Sequence, residues 1–179
     1  FSYLGKTALV TGVLEERIAV TNPAHSGIGG AARLRYTSQG KKYLKSEYPM
    51  DMEDEYILTT KTEPIGQAQG QGALWVKSIF ADFIGSDSTP FDTHMLLSLV
   101  APRGLFVSSG YFDNGTDPEG MYGAYLGAQK VYQFLDAEGN IVYADFPTSH
   151  ATSDAETQAF FQYLDYYFYG KELPDGFRD

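Results

Sequence analysis

Ser2 opens the run Ser2-Tyr3-Leu4-Gly5-Lys6 ahead of an apolar helical stripe of Leu9, Val10, Val13 and Leu14, and His150 lies far downstream in Phe146-Pro147-Thr148-Ser149-His150-Ala151. Between them, the stretch from Ser109 to Pro118 carries two carboxylates, Asp113 and Asp117. A serine at the head of a helix, then an acid, then a histidine supply a nucleophile, an orienting acid and a general base, the set needed for acyl transfer. Gly5, Thr7 and Ala8 are small enough to let the backbones approach at a tight strand-to-helix turn, and a helix N-terminus favours developing negative charge. Each residue also has a plainer reading. Ser2 suits a helix N-cap, and Asp113 and Asp117 suit turns or caps. Asp117, just before Pro118-Glu119, fits a cap as well as catalysis, so Asp113 is the preferred acid. His94, in Pro90-Phe91-Asp92-Thr93-His94, reads as a structural histidine at a helix start, and these arguments leave His25 unassigned.

The elements that must position these groups alternate between strand and helix. Ile18-Ala19-Val20-Thr21 reads as a short strand after the first helix, Leu96 to Val100 as a helical stripe stopped by Pro102, and Gly104 to Ser109 as a buried strand. Gly123 to Leu135 is expected to form a helix with Tyr125, Ala128, Val131, Tyr132 and Leu135 on one side. Asn140 to Phe146 forms a strand and Ala155 to Phe168 a closing helix. From Tyr36 to about Gly72 the chain is polar and aperiodic, which suits a long excursion over the active-site face. Alternation with long connections implies a parallel sheet, whose reactive loops follow the strand C-termini, here after Val107 and after Phe146. The fold class expected is α/β, an α/β-hydrolase three-layer sandwich. The strand that should precede Ser2 is expected upstream of Phe1, which makes residues 1–179 the C-terminal portion of one catalytic domain, beginning at the nucleophile elbow. Without the upstream strands a sheet edge would lie open, so the piece alone is expected to fold poorly or to pair with the N-terminal part of the same domain.

Composition narrows the function classes. The 179 residues are 43% apolar, enough for one sizeable core. A formal net charge of −10 disfavours nucleic acid, and Lys41-Lys42 is too short a basic run to reverse that. No stretch is long enough to span a bilayer. With no cysteine there is neither a disulfide nor a thiolate metal site, and no His and carboxylate spacing suggests a metal. No cofactor is expected.

Further motifs resemble those of the glucuronoyl esterases, which cleave the ester between 4-O-methyl-glucuronic acid on xylan and lignin alcohols. The resemblance covers almost the whole chain. That family has Gly-Cys-Ser-Arg-Asn-Gly-Lys or a variant at its nucleophile, and Ser2-Tyr3-Leu4-Gly5-Lys6 matches its Ser-x-x-Gly spacing. The segments Glu15 to Ala19, Pro23 to Ala32, and Trp75 before Phe80 fall where the family has its own versions. Pro90-Phe91-Asp92-Thr93-His94-Met95-Leu96-Leu97 and Ala101-Pro102-Arg103-Gly104-Leu105 look like its Pro-Tyr-Asp-x-His-x-Leu and Ala-Pro-Arg-Gly segments. Asp113 and Asp117-Pro118-Glu119-Gly120 look like its bacterial members.

The resemblance implies Ser2 as nucleophile, His150 as general base, and Lys6 and Trp75 lining a uronate site together with His25 and Tyr3, on a carbohydrate ester substrate outside the cell or in the periplasm. An ammonium or an indole N–H can hydrogen-bond sugar hydroxyls, although Lys6 also reads as a solvated or salt-bridged lysine and Trp75 as a core aromatic. Two departures stand out. Tyr3 replaces the arginine that usually follows the serine, and His25 stands where many members have a glutamate as the triad acid. Tyr3 is expected to offer its backbone N–H to the oxyanion, with a second donor upstream; losing one donor costs about 10²–10³ in turnover. Two other readings stay open: a carbohydrate acetyl esterase on the same fold, and a catalytically impaired relative that binds glycan.

Overall fold

A computed structural model describes residues 1–34, 42–43, 58–59, 90–113, 115–173 and 177. The helix α1 (Ser2–Leu14) runs into the strand β1 (Val20–Thr21), and β2 (Lys42–Tyr43) pairs antiparallel with β3 (Leu58–Thr59). The helix α2 (Thr93–Ser98) precedes β4 (Gly104–Gly110), and α3 (Pro118–Phe134) precedes β5 (Ile141–Phe146) and α4 (Asp154–Tyr169). The strands β1, β4 and β5 form a parallel sheet in the order β1-β4-β5, with Val20 opposite Gly104 and Leu105 opposite Ile141. The polar excursion expected from Tyr36 to Gly72 lies almost wholly outside the described residues.

β4 sits in the middle, and all seven of its residues are buried, as expected for a strand covered on both faces. The period of two then divides its side chains between two cores. Leu105 and Val107, with Ile141 and Tyr143 of β5, pack against Leu9 of α1, Leu97 of α2 and Met121, Ala124, Tyr125, Ala128 and Tyr132 of α3. Phe106, Val142 and Ala144 turn the other way, onto Tyr163 of α4. Helices therefore cover both faces, and the three layers are those of an α/β-hydrolase.

Two helices differ from the sequence expectation. In α1 the buried residues are Gly5, Leu9 and Gly12, whereas Val10 and Leu14 are exposed. Close approach decides this face: a Cβ on Gly12 would stand 2.1 Å from Thr21 Oγ1 on β1. In α3 the helix begins at Pro118, five residues before the expected Gly123, because Asp117 caps it and Pro118 occupies its first turn. Val131 and Leu135, expected on its buried side, are exposed, while Tyr125, Ala128 and Tyr132 are buried. Along α4, Ser153 caps the start by accepting from the Glu156 N–H at 3.1 Å, and Gly170 ends the helix in the left-handed region. Among the described residues no helix is long and apolar enough to cross a membrane.

Candidate active site

Ser2 is the first residue of α1 and has φ 57°, the left-handed region that L side chains rarely adopt. Its N–H donates to the Ala24 carbonyl at 2.9 Å, which anchors the turn to the segment after β1. The serine side chain makes no capping bond. Instead Ser2 Oγ lies 2.8 Å from His150 Nε2, and His150 Nδ1 lies 2.7 Å from Asp113 Oδ2. The N-cap reading of Ser2 is thereby set aside.

Asp113 and His150 come from the loops after β4 and β5, and those loops are joined through the main chain. Tyr111 N–H donates to the Phe146 carbonyl at 2.6 Å, and Phe112 N–H to the Thr148 carbonyl at 2.9 Å. Gly110 permits this contact: a Cβ there would stand 2.3 Å from the Ser149 carbonyl oxygen and 2.9 Å from the His25 ring. Asp113 is 1% exposed whereas the His150 side chain is 45% exposed, so the acid is buried behind a base that faces solvent. Burial pushes the Asp113 carboxyl upward, but hydrogen bonds from His25 and His150 outweigh it and leave its pKa below the ordinary value.

Asp117 has a different task. Its Oδ1 accepts from the Gly120 N–H at 3.0 Å at the start of α3, so Asp113 is the carboxylate that meets His150. Tyr3 is 53% exposed on the first turn of α1, where its N–H has no intrahelical acceptor and is available to an oxyanion beside Ser2. Lys6 Nζ donates to the carbonyls of Ser26 and, at 2.7 Å, Ile28, bracing the loop after β1. Trp75 lies outside the described residues. His94 falls in the first turn of α2, as expected of a structural histidine.

His25 corrects the expectation of a substrate-lining residue, because it is fully buried. Its N–H donates to the Ser108 carbonyl of β4 at 2.8 Å, and φ 47° turns its side chain inward. There Nδ1 lies 3.1 Å from Asp113 Oδ2 and Nε2 lies 3.2 Å from Glu156 Oε2. Phe1 stands against both imidazoles, with ring centroids 5.0 Å from His25 and 4.9 Å from His150. Sequence reasoning missed Glu156, whose Ser-x-x-Glu spacing from Ser153 signals a capping box and nothing more. It also missed that His25, Asp113 and His150 gather ligand atoms within 4.8 Å, a spacing a metal could use. Both Nδ1 atoms instead converge on one Asp113 oxygen, the geometry of two N–H donors on a shared acceptor.

Known proteins share this arrangement of sequence and fold. The family model described as "Glucuronyl esterase, fungi" matches residues 1–136. A multidomain esterase of Ruminococcus flavefaciens is 31% identical over 94% of this chain and 22% of its own length. A 4-O-methyl-glucuronoyl methylesterase of Hypocrea jecorina is 33% identical over 78% of this chain and 27% of its own. Among solved structures, a carbohydrate esterase family 15 glucuronoyl esterase from Caldicellulosiruptor kristjansonii superposes with a TM-score of 0.84 at 34% identity, over 98% of this chain and 44% of that one. The chain thus spans less than half the length of these relatives. Similar to them in sequence and in fold alike, it belongs to the glucuronoyl esterase family of α/β-hydrolases.

Proposed function

We propose that the protein is a serine carboxylester hydrolase acting on 4-O-methyl-glucuronoyl esters, the linkage between xylan and lignin alcohols. The observation that carries this reading is the continuous chain Ser2 Oγ, His150 and Asp113, closed at 2.8 and 2.7 Å. Asp113 holds the His150 tautomer with its proton on Nδ1, which leaves Nε2 free to take the Ser2 proton. Ser2 Oγ attacks the ester carbonyl, and the Tyr3 N–H at the positive end of α1 stabilises the developing oxyanion. His150 then passes its proton to the departing alcohol. Water, activated by the same imidazole, attacks the acyl-enzyme, releases the uronic acid and restores Ser2. The names of the relatives favour the uronate ester over an acetyl ester. A polymeric, wall-bound substrate would require the enzyme to work outside the cytoplasm, and we place it among secreted or periplasmic proteins.

The test is hydrolysis of a benzyl ester of glucuronic acid by the full-length protein, beside an acetyl ester and a Ser2→Ala control. Ser2-dependent cleavage of the uronate ester is expected. Cleavage of the acetyl ester alone would move the specificity to a carbohydrate acetyl esterase. Glycan binding without Ser2-dependent hydrolysis would replace the enzyme with a binding protein.

A further inference from the structure

The Ser2, His150 and Asp113 chain makes no use of His25 or Glu156, yet both are buried directly behind it. Asp113 Oδ2 accepts from two histidines at once, His150 Nδ1 at 2.7 Å and His25 Nδ1 at 3.1 Å. The other nitrogen of His25 faces the Glu156 carboxylate at 3.2 Å. Both ring nitrogens of one fully buried imidazole thus point at carboxylate oxygens. A neutral ring carries a single N–H and would set its lone pair against one of those oxygens; an imidazolium donates to both. The exposures of the two carboxylate side chains are 1% and 4%, so little water reaches them, and a buried carboxylate pair needs a cation between its members.

We propose, resting on the hydrolase reading above, that His25 is an imidazolium clamped between Asp113 and Glu156 and serves as a positioning residue that fixes Asp113 against His150. Glu156, at the start of α4, ties the far side of the sheet to the site through this cation. Among the described residues, the groups facing His25 are Phe1 just ahead of α1, Asp113 from the loop after β4, His150 from the loop after β5 with ring centroids 6.0 Å apart, and Glu156 from α4. Main chain from Ser108 and Gly110 of β4 completes the enclosure. Burial alone would pull the His25 pKa down, but its bonds to Asp113 and Glu156 outweigh burial and raise it. Glu156 agrees: burial raises its carboxyl, and the His25 bond with further help from Ser108 and Ser153 brings it below the ordinary value.

Two measurements on the full-length protein test this. The first is the ¹⁵N signals of the histidine rings between pH 5 and 9, which need no turnover. Both His25 nitrogens are expected to be protonated through neutral pH, and in Glu156→Gln the Nε2 proton is expected to be lost at a lower pH than in the wild type. A neutral His25 at pH 7 in the wild type would overturn the proposal. The second is kcat and KM against pH on the uronate ester for His25→Gln, Glu156→Gln and the double variant. His25→Gln is expected to lower kcat about tenfold with KM nearly unchanged, as a misplaced base does. Glu156→Gln should lower kcat in the same way by less, and it carries the test if His25→Gln fails to fold. Variants that lose thermal stability while keeping the wild-type kcat and KM would reduce His25 to a structural role. Absence of Ser2-dependent turnover in the wild type would sink the hydrolase reading, whereas the ring-nitrogen signals would still decide the charge of His25.

Discussion

The two halves of the site are built on opposite terms. On the sheet side, Asp113, His25 and Glu156 are buried and joined to one another through the His25 ring. On the helix side, Ser2 and Tyr3 lie in the first turn of α1, partly open to solvent, with no intrahelical acceptor for the Tyr3 N–H and a positive φ at the serine. Charge is desolvated where it must orient a base, and left accessible where a substrate must arrive. The comparison predicts that damage to the helix side removes chemistry without unfolding the protein, whereas damage to the sheet side costs both.

The largest effect is expected for Ser2→Ala, which should lower turnover about 10⁶-fold with the melting temperature unchanged, read by ester hydrolysis and calorimetry on the same sample. Alanine keeps the Cβ and so leaves the positive φ as it is, and a large drop would mean that Ser2 carries structure as well as chemistry. Asp113→Asn should lower turnover about 10⁴-fold, since the amide cannot enforce the His150 tautomer. Unlike Ser2→Ala, it should also lower stability, because His25 loses a charged acceptor.

Gly110→Ala probes the zipper between the two sheet-side loops. The new methyl would meet the Ser149 carbonyl, displace His150 and lower kcat about 10²-fold, as a shift near 1 Å does. An alanine variant with wild-type kcat would show that the loop can yield without moving the base. The smallest effect on catalysis is expected for Lys6→Met. Its ammonium braces the Ser26 and Ile28 carbonyls, so urea unfolding should show a loss of about 1.5–3 kcal/mol while KM for the uronate ester stays within twofold. A selective rise in KM would place Lys6 at the sugar site.

Stability should also depend on pH with a sign set by the sheet side. Asp113 and Glu156 have lowered native pKa values, so their contribution is complete above the ordinary carboxylate values of 3.8 and 4.5 and is lost as pH falls through the native ones. His25 has a raised native pKa, so its contribution is complete below 6.5 and is lost as pH rises through the native value. Urea midpoints should therefore peak between about pH 4.5 and 6.5. Glu156→Gln should flatten the alkaline side of that dome.

The same contrast governs what the sequence made legible. Ser2, Asp113 and His150 emerge from chain order, because each stands at the end of an apolar strand or at the head of a helix that periodicity finds. β4 and β5 are apolar runs, and their observed bounds differ from the expected ones by one residue at one end each. The Asp117 alternative was settled by local capping, a contact three residues long. The buried network was not legible, since His25 meets Asp113 across 88 positions and Glu156 across 131, and no local pattern encodes such a pairing. The buried face of α1 was misread for a related reason: backbone approach at Gly5 and Gly12 decided it, and a search for apolar spacing passes over glycines. Trp75 lies outside the described residues and stays an expectation from resemblance.

The central claim is that Ser2 is a nucleophile activated by His150. Labelling the full-length protein with a fluorophosphonate and mapping the adduct by mass spectrometry tests it most directly. The account predicts a single adduct on Ser2, formed rapidly in the wild type and slowed by orders of magnitude in His150→Ala. An adduct on another residue, or labelling of Ser2 indifferent to His150, would contradict it.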